Sequence, residues 1–188
     1  MTIKSILEKL IASLLVLILL PLALIISLLI KLSSSGNILF WSQRVGIDND
    51  IFSMPKFSTM KPNTPKVATH LLSNPEQYFT TIGSLLRKTS LDEIPQLLSI
   101  IRGDMSFIGP RPALFNQDDL IRLRAEKGIH KLKPGVTGWA QVNGRDELSI
   151  QKKVSFEVEY MNNKSFLMDM RIICLTLIKV VFRKDISH

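Results

Sequence analysis

Several common ingredients are scarce in this 188-residue chain, and each shortage closes a class of function. The single cysteine, Cys174, allows no internal disulfide, which fits a reducing compartment. Its apolar neighbours hold nothing that would stabilise a thiolate, so thiol catalysis is set aside. His70, His130 and His188 lack any zinc-like spacing. No internal repeat, low-complexity tract or long linker interrupts a chain of one domain's length. Acidic residues are outnumbered, 16 against 24 Lys and Arg, leaving a formal net charge of +8. That surplus would suit nucleic acid, an anionic membrane surface or phosphate-bearing substrates. The cations are dispersed and no nucleic-acid motif is present, so nucleic acid is not an expected partner.

What is present begins with an apolar run. Residues 10–30 contain 18 Ala, Val, Ile or Leu, broken only by Ser13, Pro21 and Ser27. As a helix this run reaches about 30 Å, the thickness of a hydrocarbon core. It is too long for a signal-peptide core, and the serines at 33–35 behind Lys31 make a poor cleavage site. Pro21 removes a hydrogen bond in mid-run, so two half-helices are expected, or else a kinked spanning helix. Lys4 and Lys9 precede the run and Lys31 follows it, and both flanks read as cytoplasmic by the positive-inside tendency. A helix that enters, breaks at Pro21 and returns satisfies both flanks.

The stretch 85–112 carries the chemistry: LLRKTSLDEIPQLLSIIRGDMSFIGPRP. Ser90, Leu91, Asp92 and Glu93 match a capping box, the ordinary reading of those four residues alone. Their surroundings widen it. Ile94, Leu97, Leu98 and Ile101 recur with helical period, so the helix they begin can be held rigidly. Arg87 and Lys88 precede the carboxylates and, with the helix dipole, should keep Asp92 ionised. Arg111 sits between Pro110 and Pro112, where its backbone has little freedom, and its fork suits phosphate. An ionised, rigid aspartate can attack phosphorus. A hard cation such as Mg²⁺ would take oxygen ligands, for which Asp92 and Glu93 are the best candidates and Asp104 a lesser one. Gly103 marks a helix C-cap. Downstream, the Gly/Pro-bracketed loop 133–139 is followed by Gln141, Asn143 and Arg145. That loop reads either as a nucleotide-contacting segment or as a structural turn with Trp139 as core anchor.

These blocks resemble the bacterial sugar transferases, small monotopic phosphoglycosyl transferases that act on polyprenyl phosphate. LRKTSLDEIPQLLSIIRGDMSFIGPRP at 86–112 and KPGVTGWAQVNGR at 133–145 carry the resemblance. RVG at 44–46, KFSTM at 56–60 and the tail SFLMDMRIICLTLIKVV echo it. The resemblance implies a re-entrant membrane anchor over 1–35 and a cytoplasm-facing catalytic domain over 36–188, at the bacterial inner membrane. It implies transfer of a sugar phosphate from a UDP-sugar to polyprenyl (undecaprenyl) phosphate with Mg²⁺, through a phosphosugar on Asp92 assisted by Glu93. It implies phosphate binding by Arg87, Lys88 and Arg111, and nucleotide-sugar binding by Thr137, Gln141, Asn143 and Arg145. The lipid bilayer is then a partner, and downstream glycosyltransferases are candidates. Three positions depart from the family pattern: Ser58 replaces a basic residue, Ile150 a Trp, and Glu157 stands near a usual Asp. Keeping Asp92, Glu93, Arg87 and Arg111 together argues against a non-catalytic anchored subunit.

The expected fold is mixed and mainly helical with a small β-hairpin and interfacial amphipathic helices. The hairpin falls in 38–52 around a turn at 46–50, with an irregular, proline-rich wrap over 55–75. Helices are expected at 76–87, 91–101, 116–127 and 167–182. The last reads equally as an interfacial helix or a core-facing one.

Overall fold

The computed structural model describes residues 3–62, 64, 74–144 and 147–182. His70, His188, Arg145 and about half of the segment expected to wrap the surface lie outside them. Helix α1 (Ile3–Ser33) runs continuously through Pro21, one helix where two separated halves were expected. Pro21 has no N–H, so its i−4 bond is missing, but the loss of one bond does not end a helix whose neighbours all favour it. By length and composition α1 could cross a membrane.

A narrow stripe of α1 packs on the rest of the chain along its whole length. Ala12 is buried with Met54, Leu97, Ile100 and Met105. Farther along, Ile26 and Ile30 are buried with Phe57 and Leu86. Near the start, Lys4 Nζ donates to Asp169 Oδ2 at 2.6 Å, and the Ser106 hydroxyl donates to Glu8. Asp169 also accepts from the Tyr160 hydroxyl at 2.8 Å. Leu15, Val16, Leu19 and Ala23 are half-buried along the stripe, while Leu10, Leu17 and Leu24 are among the exposed α1 side chains.

The expected hairpin forms, with β1 (Leu39–Val45) antiparallel to β2 (Ile51–Phe57). It extends past its expected end because Pro55 sits within β2, opposite Trp41 in a sheet of only two strands, where proline is tolerated. Where one helix was expected over 76–87, a 3-10 turn (Pro75–Tyr78) is followed by α2 (Thr81–Lys88). Thr80 breaks them: its backbone is extended and its hydroxyl caps the Gly83 N–H at 3.0 Å.

The helix expected over 91–101 is a 3-10 segment, Leu91–Gln96, running into α3 (Leu97–Arg102). Gly103, at φ 96°, caps α3 as read from the sequence. A second, parallel pair joins β3 (Ser106–Ile108) to β4 (Gly135–Thr137), unanticipated because three-residue strands carry no usable periodicity. Between them lies α4 (Asp118–Glu126), close to its expected bounds. After β4 come the short α5 (Trp139–Val142), α6 (Ile150–Asn163) and α7 (Phe166–Phe182). Helix α6 was missed because its buried positions, Val154, Glu157 and Tyr160, include a charge that hides the apolar stripe. Helix α7 is core-facing on one side, with Ile172 buried, and leaves Phe166, Leu167, Met170, Leu177 and Ile178 exposed.

Candidate active site

The candidate site forms where β2, the end of α2, the 3-10 segment and the loop after β3 converge. Ser90 directs it. The capping box is not formed: Ser90 adopts φ 55° and its hydroxyl caps nothing, while its carbonyl accepts the Glu93 N–H at 3.2 Å. A left-handed serine costs about 1–2 kcal/mol, a strain that turns the chain sharply between α2 and the segment bearing Asp92 and Glu93. Pro95 and Gln96 on that segment are buried, so the carboxylates stand on a fixed base.

Glu93 is the organiser. Its Oε1 accepts from Lys56 Nζ at 2.8 Å and from Arg111 Nη2 at 3.0 Å. Asp92, only 6% exposed, joins no ion pair among the described residues. Lys56, Arg87 and Arg111 all act on it electrostatically, and Arg87 also lies 5.0 Å from the centre of the Phe79 ring. Two carboxylates against three cations give a cluster with net positive charge, suited to an anionic group.

The electrostatic expectation for Asp92 needs correcting. Burial raises its carboxyl above the ordinary aspartate range and the neighbouring Glu93 adds to this, against Lys56, Arg87 and Arg111, which lower it. Desolvation outweighs the cations that sequence reading relied on. Burial likewise lowers the Lys56 ammonium, helped by Arg111 and opposed by Glu93 and Asp92. If Asp92 must be ionised, the acid limb of the pH–rate profile lies above the usual aspartate range. Lys56→Met removes a cation that lowers the Asp92 carboxyl, so the limb should move to still higher pH. Measuring kcat/KM against pH for both proteins checks this, and an unmoved limb would detach Asp92 from the profile.

Lys56 is the site residue that sequence analysis passed over. Its signal was the KFSTM echo, in which attention fell on the departure at Ser58. Lys88 was expected beside Arg87 but is exposed and forms no ion pair among the described residues; one residue of helix rotates it about 100° away. Asp104, in the α3–β3 connection, likewise joins no ion pair among the described residues.

The two sequence blocks meet through backbone. The Gly109 N–H donates to Thr137 O and the Gly135 N–H to Pro110 O, both at 2.9 Å. A Cβ on Gly109 would meet Lys133 O at 2.3 Å, and one on Gly138 would meet Gly109 O at 2.1 Å, so glycine alone allows this approach. Thr137 therefore lies beside the Arg111 loop, although its hydroxyl bonds Thr176 at 2.7 Å. Gln141 has a buried amide with no hydrogen-bond partner among the described residues, its Oε1 next to Gly138. Asn143 is turned elsewhere and donates to Trp139 O at 2.7 Å as an exposed cap. Trp139 is a core anchor, buried with Ile108, Val142, Tyr160 and Ile172 and with Arg171 5.1 Å from its ring centre.

No group of three or more His, Cys, Asp and Glu is assembled for a metal among the described residues. The donor set still fits Mg²⁺, which commonly takes one or two carboxylates and completes its shell with substrate phosphates and water. Asp92 and Glu93 are the carboxylates that would serve.

The buried Asp92 and half-buried Glu93 among Lys56, Arg87 and Arg111 form a positively charged cluster, on a chain whose described residues include one long apolar helix. The chain belongs to the bacterial sugar transferase family, whose model matches residues 1–183. It is 40% identical to the uncharacterised sugar transferase EpsL of Bacillus subtilis (strain 168) over 85% of this chain and 77% of the relative. It is 39% identical to the UDP-glucose:undecaprenyl-phosphate glucose-1-phosphate transferase of Escherichia coli (strain K12), matching 89% of this chain but only 38% of that longer protein. The undecaprenyl-phosphate galactose phosphotransferase of Salmonella typhimurium (strain LT2) is 35% identical over 80% of this chain and 34% of its own length.

Proposed function

We propose that the protein transfers a sugar phosphate from a UDP-sugar to polyprenyl (undecaprenyl) phosphate, releasing UMP and forming polyprenyl diphosphate sugar. One observation carries the mechanism: Glu93 is held by two cations, whereas its buried neighbour Asp92 is paired with none among the described residues. An Asp92 carboxylate oxygen attacks the sugar-bearing phosphorus, and the bond to the UMP oxygen breaks, that oxygen keeping the electron pair. An oxygen of polyprenyl phosphate then attacks the same phosphorus, and the Asp92 oxygen leaves as carboxylate. Lys56, Arg87 and Arg111 hold the phosphate oxygens as charge redistributes. Glu93 keeps Lys56 and Arg111 in place. Mg²⁺, bound through Asp92 and Glu93, would supply neutralisation of the diphosphate charge. Thr137 and Gln141, which lie near the Gly109 and Gly138 approach, would contact the nucleotide sugar, and Arg145 is assigned there from the sequence alone.

The names of relatives that act on undecaprenyl phosphate with UDP-glucose or galactose support this substrate class. The test is release of UMP from a panel of UDP-sugars by the protein in membranes or detergent. UMP release coupled to a polyprenyl diphosphate sugar is expected with at least one donor, and no lipid-linked product from any donor would reject the reading. Downstream glycosyltransferases would take that product.

The anchor in this reading is re-entrant, with the domain on the cytoplasmic face of the bacterial inner membrane. Support comes from the two ends of α1: Lys4 pairs with Asp169, and Ile30 packs with Leu86 on the same body. A spanning helix would have to release one set of contacts and carry Lys4 across the bilayer. Pro21 is where α1 can bend most cheaply. In a Cys174→Ser background, cysteines placed near residue 3 and at the C-terminus should both label from the cytoplasmic side alone. Pro21→Leu should divert a fraction of molecules toward labelling on opposite sides, and opposite-side labelling of the parent protein would replace re-entry with a span.

A further inference from the structure

The loop that carries Arg111 is held from behind by groups that take no part in the chemistry above. Arg124 on α4 and Glu157 on α6 form an ion pair, with the residues 7% and 2% exposed. Arg124 Nε donates to Glu157 Oε2 at 2.8 Å, and its Nη2 donates both to Glu157 Oε1 and, at 3.0 Å, to the Arg111 carbonyl. From the other side, Arg44 Nη1 donates to Pro112 O at 3.1 Å, and the Val45 N–H donates to Ala113 O at 3.0 Å.

A buried ion pair is a poor stabiliser, because desolvation of both charges consumes its Coulombic gain and apolar replacements often serve the fold as well. Its geometry has a different use here. Only a guanidinium can serve a carboxylate through two nitrogens and a carbonyl besides, so Lys could not replace Arg124. The flanking prolines restrict the backbone of Arg111, and the Arg124 bond fixes the remaining freedom, the direction of its carbonyl. Fixing that carbonyl fixes the line along which the Arg111 side chain leaves toward Glu93.

We propose that Arg124 and Glu157 are positioning residues for Arg111, setting the aim of its guanidinium at bound phosphate. The proposal rests on reading Arg111 as a phosphate-holding residue. Glu157, one methylene longer than the Asp expected near this position, sets the reach of the pair.

The test replaces the pair as a unit, Arg124→Met with Glu157→Leu, in the full chain in detergent or nanodiscs. The melting temperature should hold. The kcat/KM for the UDP-sugar should fall roughly 10- to 100-fold, the scale of a misaimed group. In an Arg111→Ala background the same replacement should change kcat/KM less than about twofold, because coupled residues do not add. A full loss in that background, or no loss in the parent, overturns the proposal. Calorimetric binding of inorganic diphosphate gives a reading independent of turnover. It should weaken alike in the pair variant and in Arg111→Ala, with no further loss when they are combined. Wild-type protein that binds diphosphate without turnover refutes the transfer reaction while leaving the positioning role to that binding cycle. Wild-type protein that binds no diphosphate and shows no turnover refutes both. Should the double variant not fold, Glu157→Asp keeps both charges and retracts the carboxylate by one methylene. It should then show a smaller loss that likewise vanishes without Arg111, and a loss that persists without Arg111 overturns the proposal.

Discussion

Asp92→Asn is expected to lower turnover by about 10³-fold or more while leaving the fold intact. Asparagine keeps the size and polarity of the side chain but cannot attack phosphorus. The protonation of Asp92 sharpens the prediction. Its folded-state carboxyl titrates above the ordinary range because of burial, so the charged form costs stability once pH exceeds the unfolded value. Asn removes that cost, and Asp92→Asn should melt at the same temperature as the parent or higher at neutral pH. The difference should shrink as pH falls and the parent's carboxyl becomes protonated. Without lipid acceptor, the parent should hold a phosphosugar adduct on Asp92 and release a matching burst of UMP, and its kinetics should be ping-pong. Sequential kinetics, no adduct and no UMP before lipid is added would together replace the covalent route with direct attack by the lipid phosphate. Glu93→Gln should be less uniform, since it frees Lys56 and Arg111 instead of removing the nucleophile.

Arg111→Lys is expected to lower kcat by roughly 10²-fold, the scale of losing one donor that serves developing charge. The substitution retains the positive charge and loses the fork that reaches Glu93 Oε1 and, in the proposed reaction, would also hold phosphate. Because the side chain is partly exposed and its backbone carbonyl is held by Arg124, thermal stability should change little. Steady-state kinetics beside a melting curve separates the possibilities: near-normal turnover would make Arg111 structural, and loss of turnover together with melting would make it a folding residue.

Local signals decided much of this protein. A run of apolar residues dense enough to form a helix, with cations on both flanks, could be read directly because a helix as long as α1 needs no partner to be recognisable. The hairpin was equally plain, since its turn at 46–50 lies between alternating strands. Asp92, Glu93, Arg87 and Arg111 were legible as a group because they lie within 25 residues of one another. Tertiary structure decided the rest. Lys56 enters the site from another element 37 residues away, and no periodicity reports such a meeting. Lys88 leaves it because neighbours on a helix point in different directions. The parallel pair of Ser106–Ile108 with Gly135–Thr137, which sets Thr137 beside Arg111, depends on contacts across the chain that short strands do not announce. The protonation of Asp92 is the sharpest case. Sequence supplied the cations that favour its charged form, but the depth of burial, which only the folded chain sets, outweighs them.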